Sequence, residues 1–277
     1  MTGPGAGLHI VDPSRWSCPA PTTPVETIQV AHGGGGRLSQ KLTESVFLPA
    51  FRNPALEALH DGAILSLPPG RVAFSTDSYV ISPIFFPGGD IGSLAVHGTV
   101  NDLAMCGARP LHLSAGFIIE EGLPLRDLKV IVASMARAAM EAGVSVVTGD
   151  TKVVDRGKGD QVFINTAGIG VVPEGIEISP TRARAGDVVL VSGEIAMHGI
   201  AILSVRQGLQ FETEMVSDSA SLHDLVGVAL DVAGHHLRRS RECFERDRDG
   251  CSRFHRTRGE SDPRQRGGAG SVRIAGL

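Results

Sequence analysis

Strand-like and helix-like apolar segments alternate along the middle of this chain, and this alternation is the feature that most constrains its fold. Short apolar runs bounded by turn residues predict strands. The predicted strands span Val25–Ala31, Ala63–Leu67, Val72–Thr76, Leu111–Ile119, Val144–Thr148, Val162–Val171 and Val188–Val191. Together with 35 glycines and only 4% aromatic residues, the pattern favours an α/β (or α+β) fold with many tight turns over a β-sandwich.

The predicted helices carry recognisable end signals. Asp90 is a favourable N-cap for a helix from Ile91 to about Cys106, and Gly107 is a favourable residue to end it. Pro124 suits the first position of the next helix, and Gly143 suits the position after its last turn. Apolar residues recur between them at helical spacing, at Leu128, Ile131, Val132, Met135 and Ala139. Further helices are predicted over Leu38–Phe51 and His198–Gln207.

Composition excludes several classes of protein. A net charge of −4 gives no reason to expect nucleic acid or an acidic membrane as a partner. No apolar run is long enough to cross a bilayer, and the first residues do not have the pattern of a signal peptide. The four cysteines form no C-x-x-C pair and no metal-ligand spacing, so a reducing, cytoplasmic compartment is the simpler expectation.

Composition also divides the chain into zones. Residues 1–24 are rich in Pro, Gly, Ser and Thr, which predicts a flexible extension. Residues 25–175 form the main predicted domain, and residues 176–232 the start of a second α/β domain. Residues 233–277 form an Arg-rich tail that is predicted to be non-native or disordered. From residue 234 on, the side chains sum to a charge of +5 and include only four Val, Ile or Leu. A basic arm for an acidic partner is the alternative.

A run of glycines lies between a predicted strand and a predicted helix. It reads His32-Gly33-Gly34-Gly35-Gly36-Arg37. Glycines allow backbone to approach a phosphate closely, and a helix N-terminus favours anions. The run lacks the lysine of a P-loop and the spacing of a dinucleotide fingerprint, so a flexible turn is an equal alternative.

Three further segments place carboxylates near the ends of predicted elements. Asp77 follows a strand and could hold Mg²⁺, although a turn aspartate is the commoner case. Asn101 and Asp102 stand side by side in a mostly apolar helix, where they need either a ligand or structural hydrogen bonds. Asp150 lies in Thr148-Gly149-Asp150-Thr151-Lys152, where Lys152 could reach a phosphate. Three such carboxylates in one α/β domain suit Mg–nucleotide binding.

These segments, in this order, resemble the HypE-type hydrogenase maturation (expression/formation) proteins. The most telling stretch is FSTDSYVISPIFFPGGDIGSLAVHGTVNDLAMCGARPLHLSAGFIIEEGLPL, followed by VTGDTKVVDRGKGDQVFINTAGIG. Short forms of TDS, ND and GDT recur across the superfamily of aminoimidazole ribonucleotide synthetase (PurM-like proteins), whereas FFPGGDIG and FIIEEGLP are typical of HypE. The resemblance covers about residues 27–232.

The resemblance implies a fold and a reaction. The N-terminal ATP-binding domain would be a mixed sheet flanked by helices, which pairs with a second copy to form a homodimer. A HypF-type carbamoyltransferase would carbamoylate a C-terminal cysteine. ATP would then drive dehydration of the thiocarbamate to a thiocyanate, and the cyanide would pass to iron on the HypC–HypD complex for [NiFe]-hydrogenase.

The resemblance also implies site residues. Asp102 matches the metal-nucleotide carboxylate of the family's ND motif, next to Asn101. Asp77 and Asp150 match carboxylates that would share Mg²⁺. Further positions would contact the nucleotide and its phosphates, namely Lys152, Thr151 and the glycine-rich residues His32, Gly33, Gly34, Gly35 and Gly36.

The resemblance ends near residue 232. The family's second domain and its closing cysteine are not found in the residues that follow, so we expect impaired turnover and hypothesise a frameshift near Gly234. Two alternatives remain open. One is a non-catalytic module that dimerises or binds a maturation partner. The other is a different ATP-using superfamily member, such as a selenophosphate synthetase or a thiamine phosphate kinase.

Overall fold

The computed structural model describes residues 26–179, 188–190, 192–209, 213, 215–234, 245–246 and 252–256. The predicted extension over residues 1–24 and most of the Arg-rich tail lie outside this part. The helices are α1 (Arg37–Leu42), α2 (Leu48–Phe51), α3 (Pro54–Glu57), α4 (Ile91–Met105), α5 (Leu125–Glu141), α6 (Met197–Gln207) and α7 (His223–Gly234). The strands are β1 (Arg71–Tyr79), β2 (Phe85–Phe86), β3 (Gly89–Asp90), β4 (Arg109–Glu120), β5 (Ser145–Val154), β6 (Val162–Val172), β7 (Val188–Leu190), β8 (Glu245–Arg246) and β9 (Ser252–Arg256).

The main sheet has four strands in the order β1-β6-β4-β5. β6 runs antiparallel to both of its neighbours, whereas β4 and β5 run parallel. Because α5 connects β4 to β5, it forms the crossover that a parallel pair requires. This mixed sheet with flanking helices confirms the predicted fold class.

Helices α4 and α5 cover one face of the sheet, and sequence signals set where they begin and end. The carboxylate of Asp90 accepts hydrogen bonds from the backbone amides of Gly92 (2.7 Å) and Ser93 (3.2 Å), which are otherwise unpaired at a helix start. Gly143 follows α5 at a φ of +63°, a left-handed conformation that glycine adopts without strain. The apolar stripe of α5 is fully buried, with Leu128 and Ile131 both 0% exposed.

The opposite face of the sheet has no cover from the described residues. Its apolar side chains include Phe74, which is 68% exposed, Val72 at 52% and Ile118 at 46%. Burial alternates along β1, β4 and β6, with the buried positions turned toward α4 and α5. One face of the sheet therefore forms the core and the other is an open apolar surface.

The described residues between 192 and 234 contact the domain at α4, among other places. Asn101 is 3% exposed, and its side-chain amide donates to the carbonyl of Ala220 (2.9 Å) and accepts from the amide of Leu222 (2.8 Å). In the same part of the chain, Nδ1 of His97 lies 3.0 Å from Oγ of Ser219. Elsewhere β7 pairs with β9, and β9 pairs with β8, in a separate small sheet. No helix of the described residues is both long and apolar enough to cross a membrane.

Several predicted elements were wrong in kind or extent. The described residues of the predicted strand Val25–Ala31 do not form a strand, because Val30–Gly33 is a 3₁₀ helix and only Thr27 makes an isolated bridge, to Pro124. Ala63–Leu67 belongs to no strand. Pro124 is the N-cap of α5 and not its first residue. The strand predicted over Val144–Thr148 continues to Val154. The described residues of the other predicted helices and strands confirm them within a few residues.

Candidate nucleotide site

A cavity of about 390 Å³ lies between the glycine run, the helical segment that follows it, and β5. Its volume is within the range of small-molecule sites. The polar part of its wall comes from His32, Gly33, Gly35, Ser39, Thr43, Thr148, Gly149, Asp150 and Thr151. The apolar part comes from Phe47, Leu48, Phe51, Leu56, Leu59, Ala115, Phe117 and Val146.

The glycine run forms one end of the cavity. Gly33 lies directly on β5, since a Cβ atom placed there would be 2.3 Å from the backbone nitrogen of Val153. Gly35 has a φ of +74° and donates its amide to Oγ of Ser39 (2.9 Å). Neither Gly35 nor Gly36 has any atom within 4 Å of the place where a Cβ would stand. Backbone is therefore exposed at this end, as anion binding requires.

His32 anchors the start of the run. Its side chain is 5% exposed, and its Nδ1 accepts a hydrogen bond from the backbone amide of Gln29 (2.9 Å). Burial lowers the pKa of His32 below its ordinary value of 6.5, despite the opposing effect of the Gln29 backbone. A neutral imidazole that accepts this hydrogen bond is consistent with both observations.

The side wall is one helical segment over residues 37–51, with an inserted π-helical turn, Thr43–Phe47. Pro49 has no backbone N–H to donate within the helix, which favours an irregular turn just before it. The turn brings Thr43 and Phe47 to the cavity, and the Phe47 ring packs on Phe117 with centroids 5.0 Å apart. Single π-helical turns of this kind are frequent at functional sites.

β5 forms the opposite wall, and here the sequence prediction was wrong in extent. The strand continues through Gly149, Asp150 and Thr151 to Val154, although it was expected to end at Thr148. Gly149 lets the neighbouring strand approach, because a Cβ there would be 2.3 Å from the carbonyl oxygen of Ala115. Because successive side chains along a strand point to opposite faces of the sheet, Thr151 faces the cavity, whereas Asp150 and Lys152 face the open side. Asp150 also contributes to the cavity wall.

A second polar group lies between β1 and α4. Ser75 donates a hydrogen bond to Oδ2 of Asp102 across 2.9 Å. Asp77 lies on the same face of β1 as Ser75, and its Oδ1 accepts the amide of Ser78 (2.8 Å). Tyr79 is the next residue on that face. Burial raises its pKa far above the ordinary value, and the nearby Asp77 and Asp102 carboxylates add to this. Asp77 and Asp102 therefore share one neighbourhood.

The structure does not bring the three predicted carboxylates together in one chain. Asp77 pairs with Thr166 at one edge of the sheet, while Asp150 lies on β5 at the other edge. Three strand spacings, roughly 14 Å, separate those two strands. Among the described residues, no three His, Cys, Asp or Glu side chains are grouped as metal ligands.

Two of the predicted nucleotide contacts lie outside the cavity wall. The side-chain amide of Asn101 donates to the carbonyl of Ala220 and accepts from the amide of Leu222. Lys152 is exposed on the open face and is also outside the cavity wall. Residues that sequence reasoning missed include Ser75, Thr43 and Phe47. The signal for Ser75 was its alternation with Asp77 on β1. The signal for the π-helical turn that carries Thr43 and Phe47 was Pro49, just after it.

Comparison with known proteins supplies the family context. Residues 59–172 match the model of the AIR synthase related protein N-terminal domain. The chain is 60% identical over 204 residues to carbamoyl dehydratase HypE of Azotobacter vinelandii, which covers 74% of this chain and 60% of that protein. It is 51% identical over 215 residues to the Escherichia coli K12 protein of the same name, covering 76% and 64%. The chain thus spans about three fifths of the length of these relatives.

Solved structures give the same result. A HypE structure in complex with ATP matches with a TM-score of 0.72 and 56% identity, over 74% of this chain and 62% of that one. HypE in a HypE–HypF complex matches with a TM-score of 0.58 and 53% identity, over 69% and 62%. Over about three quarters of its length, this chain is a homologue of the HypE carbamoyl dehydratases of hydrogenase maturation, with an AIR synthase-related (PurM-like) domain at its centre.

Proposed function

We propose that the chain binds ATP in the cavity between the glycine run and β5. One observation carries this proposal: exposed glycine backbone at the start of the 37–51 helical segment lies beside the apolar part of the cavity wall. The phosphates would lie at Gly34, Gly35 and Gly36, where backbone amides and the helix N-terminus favour negative charge. The base would lie against Phe47 and Phe51. The ATP complex of a 56% identical HypE supports this placement.

We propose further that Mg²⁺ accompanies the nucleotide. The donor set fits this ion, because Mg²⁺ takes carboxylate oxygens and commonly needs only one or two from the protein when phosphates supply the rest. Asp77 and Asp102 are the pair that would hold it, where the pairing of two copies proposed below brings them to the phosphates bound by the other copy. Asp150 would reach a second ion or the phosphates from the cavity wall of its own chain. Bound Mg²⁺ would neutralise phosphate charge, and Lys152 would assist from β5.

The reaction we propose is the ATP-dependent dehydration of a cysteine thiocarbamate to a thiocyanate. The relatives named carbamoyl dehydratase HypE support it over the selenophosphate synthetase and thiamine phosphate kinase alternatives, since they are 50–60% identical to this chain. Within this chain, the site residues would position ATP and stabilise charge as its phosphoryl group is transferred. We propose that a HypF-type carbamoyltransferase donates the carbamoyl group, and the solved HypE–HypF complex supports this partner. A HypC–HypD complex would accept the cyanide. Both steps would take place in the cytoplasm.

We also propose that two copies of the chain pair through the open face of the sheet. That face exposes Phe74, Val72 and Ile118 together, and contiguous apolar surface of this kind marks an association site. Phe74→Glu would place a charge in the middle of it and should convert a dimer to a monomer in light scattering coupled to gel filtration. A monomeric parent protein would contradict the proposal. Ile64→Glu is the matched control, because Ile64 is 93% exposed and belongs to no strand.

The experiment that tests ATP binding is a thermal melt with and without Mg-ATP. We expect Mg-ATP to raise the melting temperature of the parent protein, and Asp102→Ala to abolish the rise. Asp61→Ala serves as the control, since Asp61 is an exposed carboxylate outside both polar groups. An equal rise in the Asp102 variant would remove that residue from the site, and no rise in any protein would contradict ATP binding.

A further inference from the structure

The hydroxyl of Tyr79, the only tyrosine in the chain, is buried between β1 and α4. It lies against the backbone of Gly98, since a Cβ added there would be 2.1 Å from the oxygen. Within the described part of the chain the hydroxyl makes no hydrogen bond of good geometry, although the Thr99 hydroxyl and the Asp77 carboxylate are close enough to affect the pKa of Tyr79. A buried hydroxyl without a partner is unfavourable, so this position requires an explanation.

The hydroxyl shares its surroundings with both carboxylates proposed to hold Mg²⁺. Tyr79 and Asp77 alternate on the same face of β1. Gly98, which the hydroxyl touches, is one helical turn before Asp102 on the same face of α4. Ser75 on β1 already donates to Asp102 across the interface between β1 and α4, at 2.9 Å. This interface therefore contains two carboxylates, Asp77 and Asp102, and the hydroxyl groups of Ser75 and Tyr79.

Two neighbouring carboxylates repel each other, and a metal site needs each oriented before the ion arrives. A tyrosine hydroxyl keeps its proton at neutral pH and can donate one hydrogen bond. Its absence from the cavity wall means that it has no direct contact with a nucleotide held there. A donor in this position acts on the carboxylates and not on ATP itself.

We propose that Tyr79 is a positioning residue for the metal: its hydroxyl donates to the carboxylate of Asp77 or Asp102 and holds the pair in the orientation that binds Mg²⁺. This proposal rests on the Mg²⁺ site proposed above. Gly98 is then required because any side chain there would displace the hydroxyl.

The test separates metal binding from nucleotide binding. ATP affinity is measured calorimetrically without divalent ion, and Mg²⁺ is then titrated into the ATP-loaded protein. For Tyr79→Phe we expect unchanged ATP affinity without metal and a half-saturating Mg²⁺ concentration raised about tenfold, the effect of one lost hydrogen bond to a charged group. A Tyr79→Phe protein with the parent's Mg²⁺ dependence would overturn the proposal. A parent protein that binds neither ATP nor Mg²⁺ would instead contradict the proposed function.

Gly98→Ala provides the second variant. Its methyl group would displace the hydroxyl, so it should weaken Mg²⁺ binding as Tyr79→Phe does and also lower the melting temperature. In the double variant the closest contact of the methyl group lengthens from 2.1 Å to 3.0 Å, at Cζ of the ring. The melting temperature should therefore recover in part while Mg²⁺ binding stays weak. Recovery of Mg²⁺ binding together with stability would show a purely steric role and overturn the proposal.

The parent protein gives a third readout that needs no variant. Tyr79 is the only tyrosine in the chain, and its emission lies at a shorter wavelength than that of the single tryptophan, Trp16. A phenol that donates to a carboxylate should change its emission when that carboxylate binds a cation. At constant ATP concentration, tyrosine emission should change along the same Mg²⁺ curve as the calorimetric signal. No change at saturating Mg²⁺ would contradict the contact.

Discussion

Ser75 on β1 donates a hydrogen bond to Oδ2 of Asp102 on α4 across 2.9 Å, and this contact joins two of the segments that the sequence singled out. Removing the hydroxyl takes this hydrogen bond away from a half-buried carboxylate. We expect Ser75→Ala to reduce the free energy of unfolding by about 1–2 kcal/mol and to weaken the Mg²⁺ response. Urea unfolding and the thermal melt with Mg-ATP measure the two effects.

Ser45→Ala is the control for that substitution. The Ser45 hydroxyl bonds the Lys41 carbonyl within its own helical segment (2.6 Å), away from both carboxylates. A Ser75 variant that behaves like the Ser45 variant in both measurements would show that the Asp102 contact is of no consequence.

Two glycines of the run provide a matched pair of substitutions. A Cβ at Gly33 would be 2.3 Å from the backbone nitrogen of Val153, whereas a Cβ at Gly36 meets nothing within 4 Å, and Gly36 has an ordinary φ of −93°. Gly33→Ala should move the run off β5, lower the melting temperature and remove the ATP response. Gly36→Ala should leave the melting temperature unchanged. Equal melting temperatures for the two variants would contradict the described position of Gly33.

Two histidines predict how stability depends on pH. Burial lowers the pKa of both His97 and His198 below 6.5. Nearby carboxylates oppose this shift, namely Glu141 and Asp90 at His97 and Asp218 at His198. The unfolded chain then binds protons more readily than the folded protein as pH falls through 6.5, so stability decreases there. Urea midpoints at about pH 7.5 and about pH 5.5 should show the loss.

A double variant isolates the histidine contribution. His97→Gln and His198→Asn together should make the difference between the two urea midpoints smaller, because neither replacement titrates. Their side-chain amides can still approach Ser219 and Ser217, which lie 3.0 and 2.9 Å from the two imidazoles. An unchanged difference between the midpoints would assign the pH dependence to other groups.

The sequence predicted best what depends on local chemistry. The Asp90 cap, the apolar stripe of α5 and the left-handed Gly143 are all local signals, and each is where the sequence placed it. The strand prediction for Val25–Ala31 was wrong over its described residues, because a strand forms only if a neighbouring strand pairs with it, and the chain instead packs onto β5 at Gly33. The zone boundaries at 24, 175 and 232 remain predictions.

The candidate site was predicted in its parts but not in its arrangement. Glycine and aspartate are poor strand formers, so Thr148-Gly149-Asp150 was expected to be a turn, but pairing with β4 continues the strand through them. Asn101 was expected at a ligand, but its partners lie some 120 positions away in sequence, at Ala220 and Leu222. Contacts at that separation leave no pattern that a single sequence can show.

The central claim is that ATP occupies the cavity beside the glycine run, and a variant that fills the cavity tests it most directly. Thr43 lines the cavity from the π-helical turn, but its side chain is exposed and outside the core, so Thr43→Trp should fill the space without destabilising the fold. ATP affinity is measured by titration calorimetry alongside the melting temperature. We predict an unchanged melting temperature and loss of ATP binding, and a Thr43→Trp protein that binds ATP as the parent does would contradict the account.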